Sequence, residues 1–233
     1  MGIAERKIRE RENRRRLILQ TAERLFFRDG FHAVTVEQIA REAELAKGSI
    51  YLHFRSKEEL YAELLLGEID TFYNRIVFLK SEKTSVAERL GKFTGIYLDL
   101  FLGKRELFRV MMNYQLYPDR LVLSQGVMQR LRKSMKKNIG LIDEMFAQGI
   151  AGGEFVKVYA PPVLRKAFWG MLNGVIGHYL YSVPPAKGDD LIRATVEAGL
   201  LVFINGIRLP KGDPEKNHEV LSRTDISEGG CHE

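Results

Sequence analysis

Thr35-Val36-Glu37-Gln38 opens a helix that has little room to run, and this constrains the chain more tightly than any other stretch. In such a capping box the Thr35 hydroxyl accepts from the amide of Gln38 while the Gln38 side chain reaches back. Val36, Ile39, Ala40 and Ala43 then share one apolar face. About three residues later Ala46-Lys47-Gly48-Ser49-Ile50-Tyr51-Leu52-His53-Phe54 offers another short helix, with Ile50 and Phe54 four apart. A small residue in the first helix, Ala40, and an aliphatic one ten positions later in the second, Ile50, across a tight turn, make a helix-turn-helix.

The flanks agree. Leu17, Ile18, Thr21, Ala22, Leu25 and Phe26 define a preceding helix, which Asp29-Gly30 ends before Phe31 re-enters the core. Ser56 to Glu59 is a second capping box, opening a helix with Leu60, Leu64 and Leu65. Of the formal charge of +6, nearly all lies in the first quarter: 13 Lys and Arg stand against 8 Asp and Glu through Lys57. Arg6, Lys7, Arg9, Arg11, Arg14, Arg15 and Arg16 concentrate it. Such a basic arm is an electrostatic footprint for nucleic acid, although a solvated helix start would carry the same charges.

Residues 12 to 65 resemble the TetR family of bacterial transcriptional regulators, most densely over Thr35 to Ala40 and Ala46 to Leu60. The resemblance implies an all-α fold: an N-terminal three-helix helix-turn-helix DNA-binding domain over 1–64, then a helical ligand-binding and dimerisation domain over 65–209. A polar tail, 210–233, is expected to be disordered. The third helix would read the major groove, with Lys47 and Tyr51 the leading contacts, Gly48 permitting close approach, and Ser49 and His53 beside them. Thr35, Val36 and Lys57, at the starts of the second and fourth helices, would position phosphates, and Arg14, Arg15 and Arg16 would bind backbone or enter the minor groove. One departure is Glu44, where the family has glycine; a positive φ there would cost about 1 kcal/mol.

After Leu60 the pattern is helical throughout, without strand alternation or repeat. Helices are expected from Ser56 to about Lys80, Ser85 to Gly103, Lys104 to Asn113 and Leu121 to Gly149, with Pro118 a break. Others follow from Pro161 to about Ser182 and from Asp189 to Arg208. The last two are apolar on more than one side, and Gly170 and Gly174 would allow close approach. The resemblance implies a homodimer through these helices, 161–182 and 189–208, on a palindromic operator in double-stranded DNA.

It also implies an effector cavity. Candidate lining residues are Phe93, Tyr97, Phe101, Phe108, Met111, Met112, Tyr114, Met128, Met145, Phe168, Trp169, Met171, Leu172, Asn173, Ile176 and His178. Met and aromatic residues at helical spacing serve equally well as core; Asn173 and His178, being polar, would need a partner. Residues 104–137 hold nine Lys and Arg against Glu106 and Asp119. That cluster is a solvated face, a contribution to the field that draws DNA, or a site for an anionic head group such as that of an acyl-coenzyme A.

Other classes find little support. Cys231 is the one cysteine, the five histidines lack metal-ligand spacing, and neither a phosphate loop nor a Ser elbow is visible. Neither catalysis nor a cofactor or metal is expected. No signal peptide or membrane span is expected either, which points to the cytoplasm. The expected function is a repressor released from its operator by a small hydrophobic or amphipathic effector; the alternative is a ligand-independent architectural DNA-binding protein.

Overall fold

The computed structural model describes residues 2–116, 123–182 and 185–209. Its helices are α1 (Ile3–Asp29), α2 (Val36–Glu42), α3 (Lys47–Tyr51), α4 (Lys57–Ile76), α5 (Val86–Gly103), α6 (Arg105–Leu116), α7 (Gln125–Ala151), α8 (Pro161–Ser182) and α9 (Pro185–Ile207), with a 3-10 turn at Val77–Ser81. No described residue belongs to a named strand; Phe155 and Arg208 form an isolated antiparallel bridge. The expected tail and the Pro118 break lie outside the described residues, as does the side chain of Tyr114.

The basic arm is the first four turns of α1 rather than a separate segment. Apolar periodicity starts only near Leu17, but Glu, Arg and Lys are good helix formers, and Glu10 and Arg14 pair one turn apart at 2.8 Å. Leu17 itself is exposed, while Ile18, Thr21, Ala22, Leu25 and Phe26 are buried. Thr35 and Gln38 form both halves of the capping box, at 3.2 and 2.7 Å. At the next helix start the Ser56 hydroxyl accepts from the Glu59 amide, but the Glu59 carboxylate reaches past it to the amide of Arg55, at 2.6 Å. Glu44 has φ 55°, so the turn keeps its left-handed residue without glycine.

Pro185 opens α9 earlier than expected, because its fixed φ suits the first helical position. The long helix after Ser56 stops being α-helical at Ile76 and tightens into the 3-10 turn. Arg89, buried on α5, holds that turn: one guanidinium nitrogen donates to Lys80 O at 3.0 Å and to Gln148 Oε1 at 2.6 Å. The start of α5 is capped twice. Ser85 caps it locally, and Glu154, far along the chain, accepts from the amides of Val86 and Ala87 at 2.6 and 2.9 Å. The Glu154 turn is tied in turn to the end of α9, with Val156 N donating to Ile207 O at 2.8 Å and Leu209 N to Glu154 O at 3.1 Å.

The buried side chains form a head core, a body core and a small seam between α4 and α7. Helix α4 belongs to all three: Leu60 and Tyr61 lie in the head, Ala62, Leu65 and Leu66 in the seam, Phe72 and Ile76 in the body.

Candidate nucleic-acid interface and effector cavity

Ala40, Ile50 and Phe54 are buried where α2 and α3 cross, so α3 turns its other side outward. Lys47, Gly48 and Tyr51 are exposed there, and Ser49 and His53 are half-buried. Lys47 is not a free cation. Its ammonium pairs with Glu37 of α2 and lies 5.9 Å from the Tyr51 ring centre. The hydrogen bond from Lys47 holds the Glu37 carboxyl below its usual range and raises the lysine in return.

Two of the nominated cations have other tasks. Lys57 donates to the carbonyls of Phe31 and Val34, at 2.8 and 2.9 Å, and sits over the Phe31 ring, tying down the turn before α2. Arg15 pairs with Glu63 at 2.5 Å and stacks 5.0 Å above the Phe54 ring. By contrast Arg14 and Arg16 are exposed, and among the described residues they bond Glu10 and Asn13 of the same helix. The Val36 side chain belongs to the head core, which leaves only its backbone amide for a phosphate. The sequence pattern that made these residues candidates, a cation or a cap at a helix start, carries no information about partners distant in the chain.

His53 faces a basic cleft with Lys7, Arg11 and Arg14 of α1. Burial, followed by the charges of Arg11, Arg15 and Arg14, pushes its pKa below the ordinary histidine value, so the free protein carries it neutral at pH 7. A DNA phosphate beside it would favour the imidazolium instead, so binding would take up a proton. Operator affinity should therefore rise as pH falls from 7 toward 6, and His53→Gln should flatten that rise; a pH series by fluorescence anisotropy on both proteins checks it.

In the body, a cavity of about 100 Å³ is walled by α4 to α8. Tyr97, Phe108, Met111 and Trp169 line it as expected. Phe101, Phe168, Leu172 and Ile176 are instead ordinary core, and neither Met112 nor Met128 is on the wall. Asn173 lies behind the wall, accepting from the Tyr97 hydroxyl at 2.8 Å and donating to Trp169 O at 2.9 Å; burial pushes the Tyr97 phenol up. His178 is a correction: it is exposed, on the outer stripe of α8 with Val163, Ala167, Gly170 and Gly174. The sequence reading missed Leu65, Ile69 and Phe72 of α4, Met135, Asn138, Ile139 and Ile142 of α7, and Arg165 of α8.

Leu107 and Glu68 face both this cavity and an open cleft of about 380 Å³ between head and body. Across that cleft Lys104 pairs with Glu23 of α1 and with Glu68 of α4, the latter at 3.3 Å, and the Tyr61 hydroxyl donates to Leu107 O at 2.5 Å. A third opening, about 490 Å³, runs between α1, α4 and α7, with Arg15, Arg130, Lys133 and Lys137 against Glu63 and Asp70. Among the described residues no group of three His, Cys, Asp or Glu is placed to hold a metal, and no helix is long and apolar enough to cross a membrane.

A short helix capped by Thr35 and a second that turns Lys47, Gly48 and Tyr51 outward, joined through one shared helix to a helical body with an apolar cavity, form the arrangement of a helix-turn-helix transcriptional regulator. The family model for bacterial regulatory proteins, tetR family, matches residues 18–64. The HTH-type transcriptional repressor KstR2 of Mycobacterium tuberculosis is 31% identical over 143 residues, covering 61% of this chain and 70% of the relative. The chain belongs to the TetR family. The fatty acid metabolism regulator protein of Bacillus subtilis is 24% identical over 159 residues, covering 68% of this chain and 79% of the relative. In fold, the chain resembles FadR from Bacillus subtilis in complex with stearoyl-CoA, with TM-score 0.65 and 21% identity over 82% of this chain and 98% of that one. These relatives are regulators of transcription rather than enzymes.

Proposed function

We propose that this regulator is a homodimeric repressor whose hold on a palindromic operator is released by a long-chain acyl-coenzyme A. One observation carries the reading: α4 is at once a wall of the apolar cavity, through Leu65, Ile69 and Phe72, and part of the head's core, through Leu60 and Tyr61. At about 100 Å³ the cavity is well below the roughly 300–1,000 Å³ of filled ligand sites, so an acyl chain must push its walls apart. Displacing α4 then displaces the head. Each methylene buried contributes about 0.8 kcal/mol toward that work.

The basic groove beside Arg130, Lys133 and Lys137 suits the phosphates of the head group. It lies across the α4–α7 seam from the cavity, where Ser134 bonds Asp70 and Arg130 pairs with Glu63. A ligand occupying both would part the seam. The B. subtilis FadR structure with stearoyl-CoA supports the same ligand class.

On the DNA, base contacts fall to Lys47, Ser49 and Tyr51 beside Gly48. Phosphate contacts fall to Thr35, the Val36 amide, Arg14, Arg16 and His53, whereas Lys57 and Arg15 act mainly within the protein. The head is placed at 1–64 and the regulatory body at 65–209. The outer stripe of α8, with nothing near Gly170 or Gly174, and exposed Leu201 and Val202 of α9 supply an apolar face for a second copy.

The test is operator release. On a fragment that the protein itself enriches from genomic DNA, palmitoyl-coenzyme A should weaken binding about 5- to 150-fold, the usual range of such coupling, while coenzyme A alone should not. If palmitoyl-coenzyme A moves neither the melting temperature nor DNA affinity, the acyl-coenzyme A assignment is wrong.

A further inference from the structure

We infer that the cavity selects an effector with a hydrogen-bond donor close to its polar head, and that a 3-hydroxyacyl thioester is the class that fits. The inference rests on the acyl-thioester reading above and narrows it.

Asn138 of α7 is 7% exposed and lines the cavity. Its Nδ2 donates to Ser134 O, one turn back, at 3.2 Å, which fixes which end of the amide is nitrogen. The other end, Oδ1, is buried with no hydrogen-bond partner. Buried acceptors almost always have donors, because an unpaired one keeps the whole cost of leaving water.

Around it the Tyr97 hydroxyl bonds Asn173, Glu68 pairs with Lys104, and Arg165 gives its Nε to Asp143 at 2.8 Å; neither the rest of that guanidinium nor the Trp169 indole bonds Oδ1. Ile69, Met135, Ile139 and Ile142 complete the wall near α7 and offer nothing. A plain alkyl chain would be served better by leucine, which has nearly the same shape and no polar atom to desolvate. The asparagine makes sense if the ligand brings the donor.

Its place says where on the ligand that donor lies. Ser134 and Lys137 line the basic groove, and Asn138 lines the cavity, about one helical turn (5.4 Å) from Ser134. With its phosphates at the Arg130 end of the groove, eight residues and about 12 Å along α7 from Asn138, a ligand would spend that length on its pantetheine arm and pass Asn138 near the carboxyl end of its chain. A hydroxyl two carbons from the thioester falls in that stretch; one at mid-chain does not.

The experiment compares palmitoyl-coenzyme A with 3-hydroxypalmitoyl-coenzyme A by calorimetry and by operator release, on the full-length wild type and on Asn138→Leu. The wild type should bind the hydroxylated ligand about tenfold more tightly. In Asn138→Leu the preference should vanish, palmitoyl-coenzyme A should bind at least as well as before, and the melting temperature should hold or rise because the unpaired acceptor is gone. Equal wild-type affinities would overturn the inference while leaving the acyl-thioester reading intact; this is also the outcome if the pantetheine amide, common to both ligands, takes Oδ1. A preference that survives in Asn138→Leu would overturn it as well. If neither ligand binds, both readings fall. The wild-type comparison decides the matter even if the variant folds poorly.

Discussion

Gly149→Ala should lower the melting temperature by about 10 °C. A Cβ on Gly149 would stand 2.6 Å from Phe155 Cε2 and closer still to Cδ2, which no packed pair tolerates. The ring has nowhere to go. Phe155 is buried beside Phe146, its amide donates to Gly149 O at 3.1 Å, and its neighbours are pinned to the end of α9. Overpacking of this kind costs about 3 kcal/mol, and for a chain of this size each kcal/mol is worth roughly 2–4 °C. Phe155→Ala alone should also destabilise, by leaving a void. Combined, the two should cost clearly less than their sum, because each removes part of the other's damage. Thermal melts of the three variants decide; a Gly149→Ala protein melting within 2 °C of wild type would mean that α7 and the turn separate more easily than their bonds indicate.

Operator affinity should fall on the order of a thousandfold between 50 and 200 mM salt if the proposed dimer makes at least about six phosphate contacts. The arginines of α1 should divide sharply under this measurement. Arg14→Gln should reduce the slope of log affinity against log salt by about one per protomer, because that guanidinium is exposed and paired with Glu10 of its own helix. Arg15→Gln should leave the slope nearly unchanged and instead lower the melting temperature, because Glu63 would lose one of its two arginines while nearly buried, with a side-chain exposure of 9%. Equal slope losses for the two would show that Arg15 leaves Glu63 on binding.

These arginines also show what could be read along the chain. The head was legible because its signals are local: two caps, a small residue, and an aliphatic ten positions on. The positive φ at Glu44 was raised only by the resemblance, as a condition, and the turn has it. The tasks of Arg15 and Lys57 were not legible, since Glu63 is 48 residues from one and Phe31 is 26 from the other. In the cavity, Tyr97 and Phe101 are the same kind of residue one turn apart on α5, and only the packing of α4 and α6 puts one on the wall and the other in solid core. Asn138 was hidden for another reason. It follows directly on the cluster of Lys and Arg through Lys137, where a polar residue reads as one more solvated position.

The threefold membership of α4 bears on how such regulators can be recombined. A hybrid that joins a foreign head to this body at residue 64 would cut a continuous helix and separate Tyr61, whose hydroxyl holds Leu107 O, from the rest of it. A junction before Lys57 keeps the helix whole but imports Leu60 and Tyr61 into a head core that did not evolve around them, where Tyr61 must still find partners like Phe26 and Phe31. Heads and bodies in this architecture are therefore not freely interchangeable modules: a functional exchange has to carry the matching halves of α4, and the residues to redesign first are the few that face the head from its opening turns.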